Sequence, residues 1–240
     1  TRIGAVQRQA IMTFFEGLAG AMMVIVGWVL MLAPLGVFGL AVGLGAKTGA
    51  DAIGALAHYI VVVSSAGFVV LLGGYVLAMT LGGRRLADFA RAMVPVNAVA
   101  ISTQSSLASL PAMLAATRKL GVREATADFV LPMAVAIFRA TSPAMNMGVA
   151  IYAAYLTGTP LSAAALMAGV FVAFLVSLSS VSLPGTISFV ISVGPIAMAM
   201  GVPIAPLALL VAVEMLPDIM RTLGNVTLDV AVTTAVDRED

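Results

Sequence analysis

Two apolar runs, at about residues 18–44 and 60–81, constrain this chain more than any other feature. Coiled as helices at 1.5 Å per residue, each is long enough to cross a hydrocarbon layer of roughly 30 Å. A soluble domain of this size could not hide them: hydrophobic residues make up 61% of the chain and charged residues 10%, against about 25% charged in an average soluble domain. With a mean hydropathy of +1.11, the sequence reads as an all-α membrane protein whose solvent is the lipid bilayer, because helices satisfy their own backbone there. A net charge of +1 with no basic face argues against a nucleic-acid partner. Cysteine is absent, which excludes disulfides and thiolate metal sites. No nucleophile–base constellation and no metal-ligand cluster stands out, so neither an enzyme nor a resident cofactor is expected. The one histidine, His58, lies between the two runs and reads as a polar loop or interface residue or, alternatively, as a proton relay. The chain opens on Thr1 without the pattern of a signal peptide, and the expectation is of a chain shortened at its N-terminus.

The remaining apolar segments are too short or too interrupted to span simply. Pro34 interrupts the first run. Residues 86–118 hold two short segments around the polar patch Ser102, Thr103, Gln104, Ser105, Ser106 and the following Ser109-Leu110-Pro111, which predicts a re-entrant hairpin that enters and leaves on one side. Residues 126–157 form an apolar run broken at Arg139-Ala140-Thr141-Ser142-Pro143, and Pro143 disfavours helical geometry at Ser142. A discontinuous helix is expected. Residues 162–202 repeat the hairpin pattern, with a tip from Ser177 to Gly185 that contains Leu183-Pro184. A last helix is expected over about 205–235, followed by a solvated charged tail at 237–240. The sequence thus presents two units of inverted orientation, each with a spanning helix, a hairpin with a serine-rich tip and a helix carrying polar groups. That pattern points to a secondary transporter with its site at the midplane.

Basic residues set the orientation. Arg84, Arg85 and Arg91 flank one end of the first hairpin and Arg118, Lys119 and Arg123 the other. The positive-inside rule puts both clusters, and with them the C-terminus, on the cytoplasmic side of the cell (inner) membrane.

The strongest chemical signal is in the last helix. At about 100° per residue, Glu214, Asp218, Arg221, Thr222, Asn225 and Asp229 share roughly one third of its circumference. Each ionised group at mid-bilayer costs at least about 2.5–3.5 kcal/mol, so the stripe should face a protein interior or a wet cavity. It reads either as a network of interhelical salt bridges without a ligand or as a site for an anion and a cation. In the second reading Arg221 binds a carboxylate bidentately, Asp218 takes a positive group and Asp229 a small cation or an arginine. The serine-rich tips read either as close helix packing or as free N–H groups suited to carboxylates.

These segments resemble the glutamate transporter family, the dicarboxylate/amino acid:cation symporters. The resemblance covers nearly the whole chain. Phe14-Phe15-Glu16 through Ala33-Pro34-Leu35-Gly36-Val37-Phe38 is similar to the family's fifth helix. Gln104-Ser105-Ser106-Leu107-Ala108-Ser109-Leu110-Pro111 resembles its first hairpin tip, and Leu183-Pro184-Gly185 its second. The most specific match is the stretch from Asp218 through Arg221, Thr222 and Asn225 to Asp229. The resemblance implies a fold of spanning helices plus two re-entrant hairpins in an inverted repeat. It implies a last scaffold helix with its connections at 1–56, a transport domain at 57–236, and homotrimers whose transport domains move as elevators. It implies substrate contacts from Ser105, Ser106, Ser142, Leu183, Asp218, Arg221, Thr222 and Asn225, with Arg221 on the substrate's side-chain carboxylate and Asp218 on its amino group. Coupling is implied at Asp229, with a Na⁺ site there, and at Asn225, Glu214 and Arg139. It also implies that four preceding scaffold helices lie outside this chain.

The chain departs from the family where the seventh helix carries Asn-Met-Asp-Gly-Thr. An ungapped match puts Phe138-Arg139-Ala140-Thr141-Ser142 there; a gapped one uses Asn146-Met147-Gly148 and still lacks the aspartate. Arg139 reads as a structural counter-ion, as a tethered cation replacing a sodium ion, or as a second carboxylate clamp. A close contact of an Arg139 nitrogen, within about 4 Å, with Asp229, or else with Asp218 or Glu214, is expected, since about 4 Å is the usual ion-pair limit. The function expected is symport of a small anionic substrate, an acidic amino acid or a C4-dicarboxylate, with Na⁺ or H⁺. An uncoupled anion channel and a non-transporting ligand-binding sensor are the alternatives.

Overall fold

The structure, a computed structural model, describes residues 4–48, 50–179 and 185–239. Their regular structure is all helical: α1 (Ala5–Thr48), α2 (Ala50–Thr80), α3 (Leu86–Thr103), α4 (Leu110–Lys119), α5 (Glu124–Ile137), α6 (Thr141–Thr157), α7 (Ala163–Ser179), α8 (Gly185–Ala199), α9 (Leu207–Leu210) and α10 (Met215–Glu239), with one 3₁₀ turn (Val211–Val213) before α10. Among the described residues, the helix over Ile53–Thr80 is long and apolar enough to cross a membrane unaided. Large apolar side chains stay uncovered along α1, α7 and α8, among them Trp28, Phe38, Phe171 and Ile191, as a lipid-facing surface requires.

Two points of the sequence reading need correcting here. The α1 helix continues past Pro34 without a break. The α2 helix begins at Ala50, well before the second apolar run. His58 is therefore helical and not in a loop. It is exposed and its Nδ1 lies 3.1 Å from the Tyr152 hydroxyl, which makes it an interface residue between α2 and α6.

The first hairpin forms from α3 and α4, which pack on each other through Phe89, Met93 and Val96 against Met113, Ala116 and Leu120. Its tip closes locally. Gln104 ends α3 in the left-handed region, with φ of 50°, and its N–H donates to the Ala100 carbonyl at 2.9 Å. The Ala108 N–H donates to Ser105 Oγ, and Ser109 Oγ donates to the Ser105 carbonyl. Pro111 stands in the first turn of α4, where no intrahelical donor is needed. A second pair, α7 and α8, also packs together. Its tip at 180–184, with Leu183, lies outside the described residues.

The discontinuous helix is present, but its break sits earlier than the proline suggests. The chain leaves helical geometry at Phe138 and resumes it at Thr141. Pro143 falls in the first turn of α6, and Ser142 is helical, because the missing N–H of a proline costs little among the unbonded donors of a helix start. The charged tail also differs from expectation. Residues up to Glu239 continue α10. Asp237 accepts from Arg123 at 2.9 Å and lies 3.8 Å from Arg84, while Arg238 donates to the carbonyls of Thr80 and Leu81. These residues dock α10 onto the basic end of the first hairpin and α5.

The helices bury two apolar clusters. One joins the start of α2 to α6, α7, α8 and α9; the other joins the end of α2 and α10 to α3, α4 and α5. Helices α2 and α10 run through the middle and meet at small residues. A Cβ on Gly67 would stand 3.1 Å from Met220 Cβ, and one on Gly74 would stand 2.9 Å from Thr227 Cγ2 and 3.3 Å from the Leu228 nitrogen. Glycine is what lets these two backbones approach. The Gly74→Ala variant should therefore destabilise the protein by about 1–3 kcal/mol, the usual cost of overpacking, read as a lowered midpoint in detergent unfolding. An unchanged midpoint would mean that α2 and α10 do not meet there.

Candidate functional site

The polar stripe of α10 is buried. Glu214 at 0%, Asp218 at 3%, Arg221 at 6%, Thr222 at 4%, Asn225 at 3% and Asp229 at 1% exposure all turn inward, so the helical spacing in the sequence located a real polar face in an apolar assembly. Its centre is Arg221. Nη2 donates to Glu214 Oε1 at 2.7 Å and Nη1 to Asp218 Oδ1 at 3.0 Å. Nε has no hydrogen-bond partner. Both carboxylates stand on the same stretch of chain as the arginine, seven and three positions before it, so these ion pairs are local rather than interhelical. Packing closes the network from outside: Tyr59 of α2 donates its hydroxyl to Glu214 Oε2 at 2.5 Å.

One to two turns further on, α10 meets the break in the helix. The Thr141 N–H donates to Asn225 Oδ1 at 3.1 Å. The Thr141 hydroxyl lies 2.7 Å from the same oxygen and 3.0 Å from the Arg221 carbonyl. One of the free N–H groups of the α6 start is thus spent on Asn225. Gly224 is needed at this crossing, since a Cβ there would overlap the Thr141 methyl. Ser142 is buried next to Thr141, and its Oγ has no hydrogen-bond partner. Arg139, half-buried in the break, is in electrostatic reach of Asp218, Asp229 and Arg221, and its carbonyl accepts from Ser177 of α7. Asp229 is buried with Oδ1 lacking a hydrogen-bond partner, while Thr233 bonds its carbonyl. Thr222 is tied to the Asp218 carbonyl.

The structure therefore brings Glu214, Asp218 and Arg221 into direct contact and gathers Arg139, Ser142, Asn225 and Asp229 around the adjoining break. The tip of the first hairpin reaches the same helix: Ala100 and Met113 share a core with Val226 and Val230. Ser106 is buried there, whereas the hydrogen bond to Ser105 Oγ stays inside the tip. Leu183 is outside the described residues. Two residues of the network escaped the sequence reading. Thr141 was noticed only as part of the break, and Tyr59 not at all. A signal for Tyr59 existed: a phenol inside an apolar helix must find a partner for its hydroxyl.

The sequence was compared with known proteins. The model of the sodium:dicarboxylate symporter family matches residues 1–239. A C4-dicarboxylate transport protein 1 of Pseudomonas paraeruginosa is 27% identical over 215 residues, which is 89% of this chain and 48% of that protein. A proton/sodium-glutamate symport protein of Bacillus subtilis is 29% identical over 219 residues, covering 90% of this chain and 50% of that protein. The chain spans about half the length of these relatives. A polar helix of two acids around an arginine, packed in a lipid-facing helical assembly and matched over its length by this family, leaves one assignment: the chain belongs to the sodium:dicarboxylate symporter family, a family of membrane transporters and not of enzymes.

Proposed function

We propose that this chain is part of a secondary active symporter of a small anionic substrate, an acidic amino acid or a C4-dicarboxylate, driven by Na⁺ or H⁺. The observation that carries the reading is the buried Arg221 with its Nε left open. A guanidinium is the side chain best shaped to grip a carboxylate by two parallel hydrogen bonds. Asp218 beside it would take the ammonium of an amino-acid substrate. Ser142, Thr222, Asn225 and the tips with Ser105, Ser106 and Leu183 would line the rest. The two relatives, one named a C4-dicarboxylate transport protein and one a proton/sodium-glutamate symport protein, support both substrate classes.

Charge supports cation coupling. Three carboxylates, Glu214, Asp218 and Asp229, face two arginines, Arg139 and Arg221, so their formal sum is −1. A dianionic substrate added to that pocket must bring positive charge with it, because uncompensated charge in an apolar interior is too costly. Asp229, with its open oxygen, is where a Na⁺ would bind, together with main-chain carbonyls, and Arg139 acts as a tethered cation in place of a further ion. In the membrane the two helix pairs are re-entrant hairpins of an inverted repeat. The docking of Asp237 on Arg84 and Arg123 supports a C-terminus on the same side as these basic residues, which the positive-inside rule makes cytoplasmic. Transport proceeds by elevator movement of residues 57–236 against a scaffold that includes 1–56, in a homotrimer.

Uptake into proteoliposomes by the full-length protein, with Na⁺ and pH gradients varied separately, tests the proposal. Concentration of succinate or L-aspartate driven by either gradient is the expected result; binding without uptake, or flux that follows the anion gradient alone, would overturn it. Arg221→Ala should weaken binding of either anion by about 2–5 kcal/mol, or roughly 30-fold to several thousand-fold, in calorimetric titration. Arg221→Lys should not restore it, since an ammonium lacks the planar fork. Asp218→Asn should weaken L-aspartate far more than succinate, which has no ammonium group; equal losses would make Asp218 structural. Wild-type transport should depend weakly on Na⁺ and Arg139→Met should gain partial Na⁺ dependence, checked by initial uptake rates at graded Na⁺. Steep Na⁺ dependence in the wild type would end the tethered-cation reading.

A further inference from the structure

The apolar span of α2 ends at Thr80. The chain then turns at Gly83, which takes a left-handed φ of 63°, and α3 starts at Leu86. A few residues past the end of the hydrocarbon, this turn lies at the depth of lipid headgroups. Between it and the end of α4 is a cavity of about 280 Å³, lined by Arg84, Arg85, Asp88 and Lys119 with Gly83 and Leu120. Three cations thus meet one carboxylate. The nearby acids pair elsewhere: Asp88 lies 4.0 Å from Arg91, and Asp237 binds Arg123 at 2.9 Å. Among the described residues, the side chains of Arg85 and Lys119 make neither a hydrogen bond nor an ion pair, and the Arg84 guanidinium makes no hydrogen bond. Arg84 is 3.8 Å from Asp237 and only 25% exposed, yet its Nε is buried without a hydrogen-bond partner. Backbone donors add to these. No side chain caps α3, and the N–H groups of Leu86 and Ala87 at its start have no backbone acceptor among the described residues, as the first donors of a helix do not.

We propose that this cavity binds a phosphate group, presented by the headgroup of an anionic lipid or by a free phosphate ion. The inference does not rest on the substrate reading above. Its donors suit a phosphate better than a carboxylate: a flat pair of oxygens meets one fork, whereas a tetrahedral group turns acceptors towards a guanidinium, an ammonium and helix N–H groups at once. Basic pockets between membrane helices, at headgroup depth, are where such groups are held. The cavity is distinct from the general positive charge of this face. Arg118 also lies on that face but outside the cavity, and it is already answered by Glu124 at 2.6 Å. Position gives the site a consequence for the fold. Arg85 stands at the start of α3 and Lys119 in the last turn of α4, so a phosphate held by both joins the two legs of the first hairpin at the end away from its serine-rich tip.

The test is calorimetric titration of the purified full-length protein, in an uncharged detergent, with inorganic phosphate and separately with dihexanoylphosphatidic acid. Dihexanoylphosphatidylcholine, whose headgroup has no net charge, measures what the acyl chains contribute alone. Saturable binding of an anionic probe above that baseline is the expected result. Tighter binding of phosphatidic acid makes the lipid headgroup the source; equal affinities make it the free ion. Arg85→Gln and Lys119→Gln, both at exposed positions, should each weaken binding about fivefold, the equivalent of about 1 kcal/mol that one cation contributes near a membrane surface. Arg118→Gln removes an equal charge beside Lys119 but outside the cavity, and should change affinity by less than about twofold, since water and salt screen it. A loss in Arg118→Gln as large as in the cavity variants would mean that diffuse charge attracts the anion, and would overturn the proposal. So would anionic probes that bind no better than phosphatidylcholine, or affinities unchanged in both Arg85→Gln and Lys119→Gln.

Discussion

The arginine at the centre of α10 is the constraint around which the rest of this structure is arranged. A guanidinium surrounded by apolar side chains is tolerable only with its charge answered at close range, and removing one partner of such a pair costs several kcal/mol, on the order of 3–5. Arg221 has two answers on its own chain, Glu214 and Asp218. Because they are local, these ion pairs need only α10 and the turn before it, not a neighbouring helix. What the neighbours add is position. The hydroxyl of Tyr59 reaches Glu214 from α2, and it can do so because glycines further along α2 let that helix lie close against α10.

The break between α5 and α6 answers a second constraint. Backbone that leaves helical geometry inside a membrane must have its polar groups satisfied by protein. Here the side chains of α10 and α7 do this: Asn225 accepts from the Thr141 N–H, and Ser177 donates to the Arg139 carbonyl. The break is thus held by the polar stripe, and the stripe is held by the break. Substitution at either would disturb both, which sets apart these positions from the apolar faces, where one methyl is exchanged for another at lower cost.

Much of this was legible in the sequence because the signals are strong in lipid. An ionised residue in an apolar helix has no solvent to turn to, so the spacing of Glu214, Asp218, Arg221, Asn225 and Asp229 announced a buried face. Proline and serine at Ser109-Leu110-Pro111 announced a turn, and a turn is there. Other features were illegible for physical reasons. Pro143 was read as the cause of the break, yet a proline is as welcome in the first turn of a helix as it is unwelcome in the middle, and sequence alone does not say which turn it occupies. The charges of Asp237 and Arg238 looked like a solvated tail, since their partners Arg84, Arg123 and the end of α2 are remote in sequence. Tyr59 was hidden in an apolar run because its importance lies wholly in what it touches.

The same contacts bear on how such an assembly could move. Helix α10 is joined to α2 along a seam of small residues, to α6 through Thr141 and Asn225, to α5 through Arg123 and Asp237, and to the start of α3 through Arg84. Displacing α10 would open the close glycine seam with α2, leave the Thr141 N–H without its acceptor, and separate Asp237 from Arg123 and Arg84. The contacts of α1 are of another kind. It touches α2, α9 and the 3₁₀ turn, and its backbone is bonded within its own helix. Apolar contact is non-directional and can slide, because one lipid-like surface replaces another at little cost. The polar stripe, the helix break and the two helix pairs thus share one internally bonded frame, and α1 lies beside it on contacts of a different kind.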